Sequence, residues 1–198
     1  MKNKIIPASI YVATLLVAGS AMSQSLEGSW LVRVRAVNIS SSNTDNTGYG
    51  LSVNNKTIPE VDLSYFFNKN VALELVLTVP QEHTLYAGGT RLGTLEQTPP
   101  TLLVQYHFDA PGFKPYVGAG INYTQFSSIK VPGFDVDKSS FGLALQLGVD
   151  IPLARDLYLN LDVKKVYMGT DVYLANGTNL GSFKIDPVLV GVGLGLRF

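Results

Sequence analysis

The residues able to do chemistry in this chain are few, and several are spaced by two. Arg33 stands two from Arg35, and Asp162 two from Lys164. Asp62, Glu74, Asp150 and Arg197 each interrupt an apolar stretch. There are two histidines, His83 and His107, and no cysteine. That removes thiol catalysis, a disulfide framework and cysteine-ligated zinc. A hydrolase or acyltransferase built on His107 would need a serine nucleophile and an orienting acid. Glu74, Asp150 or Asp162 can supply the acid, but no motif marks a serine, so the chain is expected not to be an enzyme. His83 follows Glu82 in a long connection and reads as a solvated loop residue. Asp135 and Asp137, near Gly133, are two carboxylates where a metal site wants more converging ligands. Gly88-Gly89 and the alternating Gly191, Gly193 and Gly195 precede no helix and cradle no phosphate. No metal and no cofactor are expected.

The elements that position these residues repeat every two residues. From Phe141 to Ile151 the chain alternates: Phe141, Leu143, Leu145, Leu147, Val149 and Ile151 point one way, and Gly142, Ala144, Gln146, Gly148 and Asp150 the other. That is a strand with one apolar face and one small or polar face. The C-terminus repeats it, with Val188, Val190, Val192, Leu194, Leu196 and Phe198 on one side. So do Leu157 to Lys164, Trp30 to Val37, Val61 to Phe67, Val71 to Val79, Leu102 to Phe108 and Tyr116 to Thr124. No segment of comparable length has the spacing of a helix, so the fold is expected to be all-β with eight strands.

The connections, about residues 38–57, 68–70, 80–98, 109–113, 127–138, 152–156 and 168–183, alternate long and short. In an up-and-down barrel this puts every long connection at one end, as in outer-membrane barrels. Charged residues are 15% of the chain against a typical ~25%. Lys+Arg and Asp+Glu are both 15, so there is no basic field and no nucleic-acid partner is expected. A soluble barrel would hide the Leu, Val and Phe rows inside. An eight-stranded lumen has room only for its own side chains or one small ligand, so the small and polar rows belong there and the apolar rows face lipid. The sequence therefore predicts an eight-stranded antiparallel up-and-down transmembrane β-barrel. Residues 1–23 read as a secretory signal peptide: Lys2 and Lys4, an apolar run from Ile5 to Ala18, and a small-residue exit through Ser23. Residues 24–198 would be the barrel.

Strand direction assigns each inward residue a height. Toward the long-connection end lie Val37, Val76, Leu103, Phe126, Val166 and Leu189, an apolar upper lumen. Below them Arg33, Arg35, Asp62, Glu74, His107, Asp150, Asp162, Lys164 and Arg197 should form a polar plug, because unpaired buried charge is very costly. Glu60 is an exception at the upper rim. An apolar solute entering this funnel would be turned back by the plug. Its easier exit is sideways into the outer leaflet, near strand-ending prolines such as Pro80, Pro99 and Pro100, which lack the N–H a ladder needs.

Pro99-Pro100-Thr101-Leu102, Gln105-Tyr106 and Lys114-Pro115-Tyr116-Val117-Gly118-Ala119-Gly120-Ile121-Asn122-Tyr123-Thr124 resemble the outer membrane protein W (OmpW) family. Gln146 to Asp150, Arg155-Asp156, Ile185-Asp186-Pro187 and the final Phe198 fit it too. Alkane-uptake porins are included through a similar stretch at Gln105 to Asp109. The chain departs from the family in a short third long connection. It also lacks a lumen-constricting tryptophan near the seventh strand, Trp30 being its only tryptophan. The resemblance implies a barrel in the Gram-negative outer membrane, in contact with its lipid and expected as a monomer. It also implies passive uptake of small hydrophobic molecules or, as the alternative, a structural or receptor barrel whose loops bind colicin, phage or host surfaces. Phe198 and the apolar residues before it resemble the terminal signature read by the outer-membrane insertion machinery.

Overall fold

The computed structural model describes residues 30–198 except 132 and 175; the expected signal segment, 1–23, lies outside the described residues. In chain order the described strands are β1 (Trp30–Ser40), β2 (Thr44–Asp45), β3 (Leu51–Val53), β4 (Lys56–Phe66), β5 (Val71–Thr78), β6 (Gln81–Ala87), β7 (Thr90–Thr98), β8 (Thr101–His107), β9 (Lys114–Lys130), β10 (Phe134–Val136), β11 (Ser139–Pro152), β12 (Leu157–Val166), β13 (Gly169–Leu174), β14 (Asn179–Lys184) and β15 (Val188–Arg197).

Eight of them close a barrel. Each of β1, β4, β5, β8, β9, β11, β12 and β15 pairs antiparallel with the next, and β15 returns to β1. Alternation decides which face is which. Leu143 and Leu147 of β11 are 61% and 60% exposed, whereas Ala144 between them is 0% exposed. The exposed rows of neighbouring strands, such as Val34, Val104, Val117 and Val192, extend this into a belt. Rings rim the belt. Trp30, Tyr65, Phe67, Tyr106 and Phe108 are exposed at the short-turn end, and Tyr123, Phe141 and Tyr167 at the other. Aromatic girdles of this kind sit at headgroup level.

The small residues of the inner face make room for large partners. Arg33 lies opposite Gly195 and Arg35 opposite Gly193. A Cβ on Gly193 would sit 2.1 Å from the Val34 carbonyl oxygen and 2.7 Å from the Arg35 Cγ. A Cβ on Gly148 would fall 2.3 Å from the Tyr116 ring. The glycine rows are therefore the complement of the arginine and tyrosine side chains that fill the lumen.

The short turns are tied locally. Asn68 Oδ1 accepts from the Asn70 and Val71 amides, and Lys69 meets Asp109 across two turns at 2.9 Å. The long connections differ from the loops expected of them. β3, β6 and β7 continue the barrel sheet above the upper half of β9, and β2, β10, β13 and β14 form a second sheet. These segments bury Leu51, Val53, Leu85, Leu95, Val136, Val172 and Phe183 in one cluster with the upper lumen. The upper lumen is thus capped by these apolar segments.

Candidate functional site

The lumen has two levels, and the lower one is built on two arginines of β1. Arg33 grips Asp150 with two nitrogens, Nε to Oδ1 at 3.1 Å and Nη2 to Oδ2 at 2.7 Å. Its Nη1 donates to Asp62 at 3.0 Å and to Ser64 at 3.1 Å, and lies 3.4 Å from Glu74. Arg35 contacts Asp62 at 2.6 Å, Glu60 at 3.0 Å, Glu74 at 3.3 Å and Asp162 at 3.4 Å. The Asp62 Oδ2 and Arg35 Nε contacts are held by charge, since neither atom makes a well-aligned hydrogen bond. Tyr116 and Gln146 donate to Asp162 at 2.7 and 2.8 Å, and Asn160 donates to Asp150 at 2.8 Å. These side chains come from β1, β4, β5, β9, β11 and β12, so the network crosses the barrel.

His107 stacks on Tyr116 with ring centres 4.9 Å apart, and its Nε2 lies 3.0 Å from Gln105 Oε1. Its Nδ1 is 4.0 Å from Asp150. Arg197 is half-buried at the lower end, over the Phe66 ring at 4.3 Å. Lys164 turns upward to Glu60, 3.1 Å away, and this pair floors the upper level. Glu60 is therefore a full member of the network, 2% exposed, although its height on β4 placed it only at the rim.

Val37, Val76, Leu103, Phe126, Val166 and Leu189 are all buried in the upper cluster, with Met168 and Ala144. A cavity of about 20 Å³ remains among Ile39, Val76, Val166, Met168, Leu189 and Pro187, with Glu60 and Lys164 at its base. Thr78, Gln81, Gln97, Pro99, Thr101 and Asn122 complete its wall. Gln81 and Gln97 were not anticipated, because 80–98 read as a connection. The available signal was the alternation Gln81, His83, Leu85 leading into Gly88-Gly89, a hairpin pattern. His83 corrects its solvated reading: it is 1% exposed, with Nδ1 3.2 Å from the Asn54 carbonyl and Nε2 3.0 Å from Gln97 Nε2. Burial lowers its pKa, so the ring is neutral at neutral pH. Phe198 lies outside the lumen, half exposed, exchanging backbone hydrogen bonds with Trp30.

A closed eight-stranded barrel with an apolar belt, girdles and a polar lumen agrees with the family comparison, in which residues 26–198 match the OmpW family. The chain belongs to the OmpW family. It is 38% identical over 182 residues to the y4mB outer-membrane protein of Sinorhizobium fredii, covering 85% of this chain and 80% of that one. It is 32% identical over 218 residues to outer membrane protein W of Escherichia coli, covering 99% and 100%. Among solved structures, OprG of Pseudomonas aeruginosa superposes with a TM-score of 0.75 at 26% identity, over 87% of this chain and 96% of that one. This OmpW-family protein is an outer-membrane barrel, and its apolar belt contacts the lipid of that membrane.

Proposed function

We propose that this barrel takes small hydrophobic molecules passively across the outer leaflet boundary, receiving them in the apolar upper lumen and releasing them sideways into the membrane. The observation that carries this reading is an apolar chamber with a charged floor. A solute seated among Val76, Val166, Met168 and Leu189, against the buried Leu103 of the same cluster, would have to desolvate against the Arg35, Glu60 and Lys164 cluster to go further down. Lateral release is supported by the wall beside the chamber. The β5–β8 ladder ends at Val76 and Thr101, and Pro99 and Pro100 precede Thr101. Thr78 and Pro99 both line the cavity where that ladder stops.

Leu103→Arg should abolish uptake of an apolar solute into proteoliposomes while the barrel still shows its folded mobility on unheated gels. A disulfide joining Thr78→Cys to Pro99→Cys should block uptake when oxidised and restore it on reduction. Uptake indifferent to the oxidised link would rule out exit at this seam. The same reading treats the barrel as a non-enzymatic monomer exported by a cleaved signal and inserted by the outer-membrane machinery through its C-terminal strand. An active-site serine probe that labelled the folded protein would contradict the first of these.

A further inference from the structure

The upper cavity is lined by apolar residues and by polar ones, and on three of the polar ones, Thr78, Gln81 and Gln97, side-chain atoms lack partners. Gln81, 1% exposed, makes no hydrogen bond through either Oε1 or Nε2. Gln97 Oε1 and Thr78 Oγ1 are also buried without a partner. Gln81 and Gln97 are direct cross-strand partners in the β6–β7 hairpin, and both line the cavity with Thr78. Buried polar groups are nearly always satisfied, so four unpartnered polar atoms on three residues that line one void call for a polar partner.

The sense of the Gln97 amide follows from its neighbours. The Asn54 carbonyl can only accept, so His83 Nδ1 carries the hydrogen and Nε2 is the acceptor. Gln97 Nε2 then donates to His83 Nε2, and Oε1 is the end left open. The three residues therefore offer Gln97 Oε1 and Gln81 Oε1 as acceptors, Gln81 Nε2 as a donor, and the Thr78 hydroxyl as either. The nearby charges do not compete, because Lys164 and Glu60 are engaged with each other and Glu60 also with Arg35.

We infer that these residues form a subsite for a hydroxyl, and that the barrel selects apolar solutes bearing one, such as alcohols or phenols. The inference rests on the uptake reading and narrows its solute class. A hydroxyl both donates and accepts, a ketone only accepts, and a hydrocarbon satisfies none of the four atoms. A void of about 20 Å³ holds a group the size of one water. It takes the head of the solute, and the tail displaces the lining around Val76, Val166 and the adaptable Met168.

The test uses the full barrel in lipid nanodiscs, with the side-chain amide resonances of Gln81 and Gln97 followed by NMR as octan-1-ol, octan-2-one or octane is added. Octanol should shift both amides, octanone chiefly Gln81, and octane neither. Gln81→Leu and Gln97→Leu, which also assign the resonances, should each weaken octanol binding about tenfold per hydrogen bond lost. In proteoliposomes the wild-type preference for octanol over octane, corrected for membrane partitioning, should vanish in the double variant. If octanol leaves both amides unmoved while octanol and octane are taken up alike, the hydroxyl subsite is wrong and the uptake reading stands. If octanol shifts the amides but no solute crosses, the subsite stands and the uptake reading fails. If a leucine variant does not fold, Gln81→Asn and Gln97→Asn assign the resonances, and the wild-type NMR arm still decides the first point.

Discussion

At the scale of single residues, Arg33 holds the lower lumen together, touching Asp62, Glu74 and Asp150 at once. Arg33→Met leaves those carboxylates buried without their cation and should destabilise the barrel by about 3–5 kcal/mol. The urea midpoint of the lipid-embedded protein would measure it. Adding Asp150→Asn should recover part of the loss, because residues of one network do not act additively. Asp45 is a different case, outside the membrane. Partial burial pushes its carboxyl up, but hydrogen bonds from the Thr47 hydroxyl and from the Thr47, Leu51 and Gly50 amides outweigh that and hold it below the usual range. A depressed folded pKa means the contribution is complete above the ordinary value of about 4 and is lost as pH falls through the folded one. Amide exchange at Gly50 and Leu51 should therefore accelerate below about pH 4 relative to its normal pH trend. Asp45→Asn should remove that excess acceleration.

At the scale of the strand, the side of β11 a residue faces decides what a substitution does. Leu147 is exposed to lipid near the middle of its strand, opposite Val163. Leu147→Arg should cost roughly 2–4 kcal/mol. The cost should be smaller at Leu145, which lies opposite Lys165. That lysine shows how a charge is tolerated there: its Nζ reaches Ser42 Oγ and the Asp186 carbonyl at the upper rim. Spin labels at 143, 145 and 147 should contact lipid and labels at 142, 144 and 146 should not. The reverse accessibility pattern would exchange inside and outside.

At the scale of the molecule, the closing pairs are those between β15 and β1, which join the two ends of the chain and set Arg33 and Arg35 against glycines. Closure makes the lumen narrow, and the ion pairs then fill it. Planar-bilayer recordings should accordingly show far less ion conductance than a water-filled porin. Glu74→Ala, which removes a carboxylate shared by both arginines, should raise it. A wild-type conductance already at open-porin level would contradict a filled lumen.

The alternation of residue types, by itself, determined the eight barrel strands, their lipid-facing and inward sides, the end at which the long connections gather, and the division into an apolar upper and a charged lower lumen. The reason is that a strand's period of two links position to face wherever one face meets lipid. It carries no information on partners across the barrel. Only closure brought Arg33 of β1 to Asp150 of β11, 117 positions away, and raised Lys164 to Glu60. The Gly88-Gly89 hairpin signal within 80–98 did not tell that the hairpin delivers Gln81, His83 and Gln97 to the buried upper level of the lumen. Polar residues on an inward face are the same types that decorate a solvated loop. What separates the two is burial by neighbouring segments distant in the chain, and that exists only once the barrel and its cap have closed around them.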